Sequence, residues 1–514
     1  MPRTHLMRLL RSAARQCAAT TEIPITRRAV LGGGAGLAMS VLLPADGLAA
    51  TARIAVVGAG LAGLTAAYRL QKAGYDVDVF EGNTRLGGRC YSARDVFADG
   101  QVAEHGGEFF DTGHKDILAL AGELGLVLDD VLAATPPNTH AIYIVDGKPY
   151  TLADATRDWQ PLYPVLQAQA KSLGDYGFRG ANRSARRFDA MTIAGWVAAY
   201  VPGGRTGQLG LLIETAFAEE NAADADQQSA LNVIGVLAED PRHNFNLYYT
   251  DSDQRFHTRG GNDQIPTRLG ERLGAHVRTG TKLIAIARRP DGRVRLSLKG
   301  DIGVTDAIYD RVILALPFSV MRGAVDYSSA GFRPLKVKAI ETLPIGASVK
   351  FQMQFNQRAW IAQGCTGETR LKSPNFQTTW EVTRAQAGAS GILNFFSGGT
   401  RALNAGGLDG AALAAQCLTD IEPVIPGLAS LWNGRMTKDA WKQNPWSLGS
   451  YTYFPPGYQT TVLGIEAERE GNCFFAGEHT SANPGYMNSA VTTGIRAARQ
   501  VMGSLQQKHV VSGG

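Results

Sequence analysis

The stretch IAVVGAGLAG at residues 54–63 decides the fold of this chain. Its first four residues form a continuous apolar run, as a strand buried on both faces requires. Three glycines with the GxGxxG spacing follow, and apolar residues then recur at helical spacing from Leu64 to Leu70. A second apolar run at residues 77–80 predicts another strand. The order strand, glycine turn, helix and strand predicts a dinucleotide-binding βαβ unit.

Each glycine of this turn has its own expected role. Gly58 permits the tight turn, Gly60 lets the backbone approach a pyrophosphate, and Gly63 lets the helix and the strand pack closely. The helix N-terminus offers free N–H groups and a partial positive charge to phosphates. Glu81 follows the second strand, where an acidic side chain accepts hydrogen bonds from ribose hydroxyls; the alternative is a solvated residue at a strand end.

A second glycine pair occurs in RLGGR at residues 85–89. Gly87 and Gly88 allow close backbone approach, and Arg89 can pair with a phosphate. The alternative is a plain surface turn. This element resembles the second fingerprint of the flavin amine oxidases, and it favours FAD over NAD as the nucleotide.

Four further motifs resemble the same family, which includes monoamine, L-amino-acid and polyamine oxidases. They are EHGGEFFD at 104–111, GGNDQIP at 260–266, FAGEHT at 475–480 and GYMNSAV at 485–491. The resemblance covers most of residues 52–505 and is weak between the nucleotide segments. It implies that a strand ending near Leu283 lies against adenine. The further cofactor-binding residues that it implies are Gly106, Gly107, Leu283, Gly477, Glu478, Tyr486 and Met487.

The expected fold class is α/β, with a Rossmann-like FAD-binding domain and a discontinuous α+β substrate-binding domain. Residues 51–132, 256–317 and 447–505 form the first, and residues 133–255 and 318–446 form the second. Residues 506–514 are a tail. The pattern predicts a nucleotide-domain strand at Val312–Leu316 and a last helix at Ser489–Met502. One clear strand of the second insert, Val349–Phe355, alternates apolar and polar residues.

The resemblance implies three catalytic residues. Lys350 matches the lysine that reaches flavin N5 through a water, although strand alternation alone is equally compatible with a solvent-facing lysine. Tyr486 and Tyr451 match the two walls of an aromatic cage. Tyr486 at the start of a helix is also compatible with a packing role, and Tyr453 is an alternative to Tyr451 because one residue is missing from the motif.

Departures from the family pattern refine these expectations. Ser450 replaces the cysteine that carries covalent flavin in monoamine oxidases, which implies non-covalent FAD. Phe109 stands where many L-amino-acid oxidases have an arginine for the substrate carboxylate, so that route is in doubt. Glu108 and Asp111 are candidates to hold the distal cation of a basic substrate, although carboxylates are more often solvated or paired.

The implied reaction is removal of a hydride from the carbon that bears an amino group. The imine hydrolyses to a carbonyl and ammonia, and O₂ is reduced to H₂O₂. An L-amino-acid oxidase is favoured, with basic amino acids as one option. A monoamine or polyamine oxidase is the alternative. Two further alternatives are an FAD-dependent desaturase or dehydrogenase with a periplasmic acceptor, and a flavin-bearing binding protein without turnover.

The first fifty residues differ from the rest in charge. They contain six arginines and two acidic residues, so the remainder carries 45 basic and 44 acidic residues and has no electrostatic footprint for nucleic acid. The pair Arg27-Arg28 precedes an apolar stretch, residues 29–43, that is shorter than the about 20 residues of a membrane span. The small residues Gly47, Ala49 and Ala50 offer a cleavage point.

This leader predicts a twin-arginine (Tat) signal over residues 1–50, and hence a periplasmic or secreted protein that meets the Tat translocase but has no stable membrane anchor. An ordinary Sec signal or an uncleaved anchor is the alternative. Four scattered cysteines after the leader predict buried free thiols, and the histidines form no metal-ligand pattern. The assembly is open, with a homodimer as one option.

Overall fold

The computed structural model describes residues 52–238, 253–371 and 373–511. The predicted leader and its twin arginines lie outside these residues. The strands are β1 (Ile54–Val57), β2 (Val77–Phe80), β3 (Ser92–Ala93), β4 (Ala103–Glu104), β5 (Leu128–Asp130), β6 (His140–Val145), β7 (Lys148–Pro149), β8 (Phe256–Thr258), β9 (Val277–Arg278), β10 (Lys282–Arg288), β11 (Val294–Gly300), β12 (Gly303–Tyr309), β13 (Arg311–Leu314), β14 (Ser348–Phe355), β15 (Cys365–Arg370), β16 (Thr378–Glu381), β17 (Gly391–Gly398), β18 (Trp432–Ala440) and β19 (Cys473–Phe475).

The described residues also form α-helices. They are α1 (Leu61–Lys72), α2 (Lys115–Glu123), α3 (Leu152–Trp159), α4 (Tyr163–Leu173), α5 (Arg183–Asp189), α6 (Ile193–Tyr200), α7 (Gln208–Asn221), α8 (Ala230–Leu237), α9 (Gln264–Leu273), α10 (Phe318–Ala324), α11 (Pro334–Thr342), α12 (Ala359–Ala362), α13 (Thr400–Gly407), α14 (Gly410–Ile421) and α15 (Met487–Val511).

A parallel five-stranded sheet, in the order β19-β13-β1-β2-β9, forms the centre of the nucleotide-binding part. All four residues of β1 are buried, as the apolar run predicts. Helices α1, α2, α9 and α15 cover one face, and the antiparallel sheet β10-β11-β12 packs against the other. The sheet takes its strands from each of the three predicted nucleotide segments, and the α/β fold class is confirmed.

Two predicted boundaries in this part are wrong. The strand near Leu283 does not end there, because β10 begins at Lys282 and runs to Arg288. The last helix does not stop at Met502: it spans Met487–Val511 and takes in most of the predicted tail. Apolar periodicity marks the buried portion of a helix, and it carries no signal for an end that leaves the core.

The inserts form a second layer. Six helices, α3 to α8, enclose their own apolar cluster, and seven strands form a mixed sheet in the order β18-β14-β17-β16-β15-β6-β7. All eight residues of β14 are buried, so both faces of this central strand are covered. The solvent-facing alternative for Lys350 is therefore wrong, because the lysine is only 4% exposed.

The sequence predicts buried free thiols for the four cysteines after the leader. Cys90, Cys365, Cys417 and Cys473 are all buried and unbridged, as predicted. Among the described residues, no helix is both long and apolar enough to cross a bilayer, and no group of histidine, cysteine and acidic side chains has the arrangement of a metal site.

Candidate functional site

The glycine turn after β1 is shaped by two close backbone approaches. Gly58 has φ +102°, a conformation that side chains disfavour, and a Cβ there would lie 2.8 Å from the Ala315 carbonyl oxygen. A Cβ on Gly63 would lie 1.9 Å from the Gly58 carbonyl oxygen. Gly60 differs, since the nearest protein atom to a Cβ there is 3.9 Å away. The open side of Gly60 faces a cavity of about 480 Å³.

Glu81 clamps this turn. Its carboxylate accepts hydrogen bonds from the Ala59 N–H at 2.7 Å and from the Asn83 N–H at 2.8 Å. Burial raises the pKa of Glu81, against the lowering effect of these backbone donors. Glu81 lines the cavity as predicted, and it also fixes the turn backbone, which the sequence pattern did not indicate.

The second glycine pair lies against the first. The Gly87 N–H donates to the Ala59 carbonyl at 2.9 Å, and both Gly87 and Gly88 line the cavity. Arg89 lines it too, but its guanidinium donates to Glu478 at 2.8 Å and to the Ser450 carbonyl at 2.6 Å. Its primary partner in the protein is thus a carboxylate, which leaves only its other donors for a phosphate.

Glu478 is buried at the centre of this network. It also accepts the Gly485 N–H at 2.7 Å. Burial acts to raise the pKa of Glu478, but the Arg89 guanidinium and the hydrogen bonds outweigh it and hold the pKa below its ordinary value. Glu478 is therefore an anion that fastens the loop before α15 to the second glycine motif.

Lys350 reaches the cavity from β14. Its ammonium donates to the Glu108 carboxylate at 2.7 Å and to the Gly106 carbonyl at 3.1 Å. The remaining oxygen of Glu108 accepts the indole N–H of Trp380 at 3.1 Å. Lys350 thus joins the sheet of the second insert to the glycine loop at residues 106–107, which also lines the cavity.

The two predicted cage tyrosines face the same cavity. The Tyr451 hydroxyl donates to the Glu219 carbonyl at 2.9 Å, and the Tyr486 ring packs edge-on against His114 at 5.2 Å between centroids. Tyr453 is not among the cavity residues, so the geometry favours Tyr451 over that alternative. Ser450 lies beside the cavity, where its hydroxyl donates to the Gly346 carbonyl at 3.2 Å.

Most of the predicted site residues converge on this one cavity. Those that line it are Gly58, Gly60, Glu81, Gly87, Gly88, Arg89, Gly106, Gly107, Leu283, Lys350, Tyr451, Gly477, Glu478, Tyr486 and Met487. Gly63 lies beneath the turn, as its packing role requires. Glu108, Phe109 and Asp111 do not line the cavity.

The placement of Glu108 and Asp111 does not support the hypothesis of a distal cation site. Glu108 is occupied by Lys350 and Trp380. Asp111 is buried and accepts the backbone N–H of Gln254 at 2.8 Å. Both carboxylates therefore serve contacts within the protein.

Other cavity residues were not predicted. Phe396 on β17 is the direct cross-strand neighbour of Lys350, and Trp441 follows β18 and donates its indole N–H to the His105 carbonyl at 3.0 Å. Neither has a local motif. Strand β17 is buried on both faces, so only its register with β14 reveals that Phe396 points to the site.

Residues 61–502 match the model of the family described as "flavin containing amine oxidoreductase". The chain belongs to this family. The flavin-dependent L-tryptophan oxidase of Lentzea aerocolonigenes is 25% identical over 485 residues, which cover 87% of this chain and 98% of the relative. The L-amino-acid oxidase of Mus musculus is 25% identical, with coverages of 87% and 70%. Amine oxidase B of Rattus norvegicus is 24% identical, with coverages of 87% and 86%.

Solved structures of flavin amine oxidoreductases share the fold. Cyclohexylamine oxidase from Brevibacterium oxydans superposes with a TM-score of 0.77 at 20% identity, over 88% of this chain and 99% of that one. Putrescine oxidase bound to putrescine gives a TM-score of 0.72 at the same identity and coverage. The protein is thus an enzyme of the flavin-dependent type that oxidises amines or amino acids.

The cavity fits the flavin cofactor of the family. The open side of Gly60 lets a pyrophosphate approach backbone, and the N-terminus of α1 begins there without any side-chain cap. Glu81 offers carboxylate oxygens to a ribose, and the apolar side chains of Leu283 and Leu316 suit a planar ring.

Proposed function

We propose that this protein is an L-amino-acid oxidase with non-covalently bound FAD. The observation that carries the proposal is the meeting of Lys350, Tyr451 and Tyr486, from three distant parts of the chain, in the cavity that the glycine motifs form. A cavity that served only to bind a nucleotide needs neither a buried cation from an insert nor two tyrosines.

The overall reaction consumes an amino acid, O₂ and water and yields a keto acid, ammonia and H₂O₂. The chemistry that a bound flavin would supply is the two-electron oxidation of the amino acid, coupled to the reduction of O₂. Tyr451 and Tyr486 orient the amino group and, with Phe396 and Trp441, exclude water. Such surroundings favour the uncharged amine, whose lone pair must be free before the hydride leaves. Lys350 supplies a positive charge where O₂ acquires electrons.

The charges of the cavity disfavour a diamine or polyamine as the substrate. Among the described residues, the carboxylates that line it are Glu81 and Glu478. Glu81 is bound to the glycine turn, and Glu478 to Arg89. A second ammonium group would therefore meet no uncommitted carboxylate near Lys350.

An arginine of the second insert supports a substrate that carries a carboxylate. Direct cross-strand neighbours point to the same face, and the row Lys350, Phe396, Thr378 and Arg370 runs across four strands. Arg370 is buried beside Glu219 at 3.4 Å, and its Nη2 has no hydrogen-bond partner. Arg370 lies outside the cavity lining, so a substrate carboxylate would use this donor only after the cavity opens toward β15.

Matched substrate pairs test the proposal. We expect the purified yellow protein to release H₂O₂ with L-amino acids and much less with the corresponding decarboxylated amines, such as L-tyrosine against tyramine. Preference for the amine would support the monoamine oxidase alternative. Bleaching of the flavin by substrate, followed by slow recovery in O₂ and fast recovery with an artificial acceptor, would support a dehydrogenase. No bleaching by any amine would overturn the proposal.

The mode of cofactor attachment has its own test. Ser450 cannot form a thioether, and the Cys90 thiol beside the cavity is buried and donates to the Asn262 carbonyl. We expect acid precipitation to leave all of the flavin in the supernatant; yellow protein in the pellet would contradict this.

We also propose export through the Tat route, on the strength of Arg27-Arg28 and the short apolar stretch that follows. Replacing both arginines by lysine should keep the active, flavin-loaded protein in the cytoplasm of an expressing bacterium. Unchanged export would favour the Sec alternative.

A further inference from the structure

We propose that Glu108 is a positioning residue of the oxidase site, which holds the Lys350 ammonium by an ion pair and keeps it charged with one N–H directed to the reacting groups. The proposal rests on the proposed function for the identity of those groups. It concerns a residue that lies outside the cavity and acts through Lys350.

The hydrogen-bond count of Lys350 leads to this role. An ammonium has three donors. One is used by Glu108 at 2.7 Å and one by the Gly106 carbonyl at 3.1 Å. Among the described residues no third acceptor contacts it, while the side chain lines the cavity. The two bonds leave one donor for a water, a substrate or O₂.

Glu108 is itself held in place. Its other oxygen accepts the Trp380 indole N–H at 3.1 Å, so strand β16 fixes the carboxylate that fixes the lysine on β14. Both side chains of the pair are about 5% exposed. Burying an ion pair costs desolvation that a pair of apolar residues would avoid. The pair is thus poorly explained by stability alone and better explained by a need for a charge at this place.

Other charged groups near Lys350 do not replace Glu108. The neighbouring carboxyl group of Glu104 does not contact Lys350; its two oxygens accept the Asn262 N–H at 2.7 Å and the Ser92 hydroxyl at 2.8 Å. Asp439, the cross-strand neighbour of Lys350 on β18, is bound by the His105 ring at 2.8 Å. Within the described part of the chain, Glu108 is the carboxylate in contact with Lys350.

The positive charge of Lys350 gives the pair a pH dependence that a purely structural contact would lack. A buried ammonium without a counter-ion gives up its proton more readily, because burial penalises the charged form. If Glu108 maintains the charge, its removal should make the oxidative half-reaction fail as the pH rises. Reduction of the flavin by substrate should change much less.

The experiment compares Glu108→Gln, which keeps the size and the Trp380 contact, with Glu108→Asp, which keeps the charge. Glu381→Gln is the matched control. Glu381 is also buried, accepts the Trp360 indole N–H at 3.0 Å and pairs with Arg358 at 3.1 Å. Unlike Glu108, it has no hydrogen bond or ion pair to any described residue that lines the cavity. Each reduced holoenzyme is mixed with O₂ in a stopped-flow instrument at several pH values.

We expect the reoxidation rate of Glu108→Gln to fall at least about tenfold between about pH 7 and pH 9.5, with the wild type, Glu108→Asp and Glu381→Gln changing far less. A second measurement does not depend on turnover. In urea unfolding, Glu108→Gln and Lys350→Met should each raise the unfolding equilibrium constant by on the order of a hundredfold, and the double variant no further.

The outcomes separate this inference from the proposed function. If the stability losses of the two single variants are not additive but the pH dependence of reoxidation in Glu108→Gln matches the wild type, the pair is only a structural contact and the inference is overturned. Additive stability effects would also overturn it. A wild-type protein that yields no peroxide with any amine would overturn the proposed function, and the unfolding cycle would still report on the pair.

Discussion

The two regions of the cavity are built in different ways. The nucleotide region, with Gly58, Gly60, Glu81 and the RLGGR loop, is mostly backbone from residues 58–89, and its shape follows from close main-chain approaches. The substrate region, with Lys350, Tyr451 and Tyr486, is made of side chains from distant strands and loops. Binding a cofactor common to a family needs a constant backbone cradle, whereas selecting a substrate needs side chains that can be exchanged.

The largest expected effect lies in the nucleotide region. Gly63→Val would place carbon 1.9 Å from the Gly58 carbonyl oxygen, so β1 and α1 must separate. We expect protein without flavin absorbance, or no soluble protein. Gly122→Ala on α2 is the control, because a Cβ there meets nothing within 4 Å. The free energy of unfolding should be unchanged or higher by up to about 1 kcal/mol. Flavin retention by Gly63→Val would contradict the close-packing argument.

The next effect belongs to the substrate region. Lys350→Met removes the positive charge, and we expect reoxidation by O₂ to slow on the order of tenfold to a thousandfold while substrate binding changes little. Tyr486→Ala should instead slow flavin reduction and leave FAD bound. Stopped-flow measurement of both half-reactions distinguishes them. An unchanged oxidative half-reaction in Lys350→Met would remove the lysine from the mechanism.

Glu478 connects the two regions, and its contribution to the stability of the fold should decrease at acidic pH. The pKa of Glu478 is below its ordinary value of 4.5 in the folded protein, so its ionised form stabilises the fold at neutral pH, and this contribution is lost as the pH falls through the folded pKa. We expect Glu478→Gln to be less stable by about 1–3 kcal/mol at pH 7 and to lose less stability between roughly pH 5 and pH 3. Urea unfolding at a series of pH values measures both; parallel acid slopes would count against the role.

The smallest effect concerns a single hydroxyl. Tyr451→Phe removes the bond to the Glu219 carbonyl and keeps the ring, so we expect a loss of about 1 kcal/mol in unfolding free energy. Turnover should fall less than in Tyr486→Ala, because the cage wall remains. A large loss of turnover would show that the hydroxyl itself acts on the substrate.

The comparison also explains what the sequence could predict. The glycine turn, β1, α1 and Glu81 are local in sequence, so spacing alone located them and the structure brings them together. The predicted end of α15 and the predicted end of the strand near Leu283 were wrong, because periodicity reports burial and not where a strand or helix stops. The Lys350–Glu108 pair joins residues 242 positions apart. The sequence made Glu108 a candidate to hold the distal cation of a basic substrate, and only the structure places its carboxylate against Lys350.

The four unbridged cysteines acquire a meaning if the enzyme releases hydrogen peroxide. Peroxide oxidises the thiolate and not the thiol. Burial raises the pKa of Cys90, Cys365, Cys417 and Cys473, so each sulfur stays protonated and shielded from solvent. If the enzyme makes this oxidant at every turnover, these four thiols stay in their unreactive form, and its working life should not depend on an added reductant.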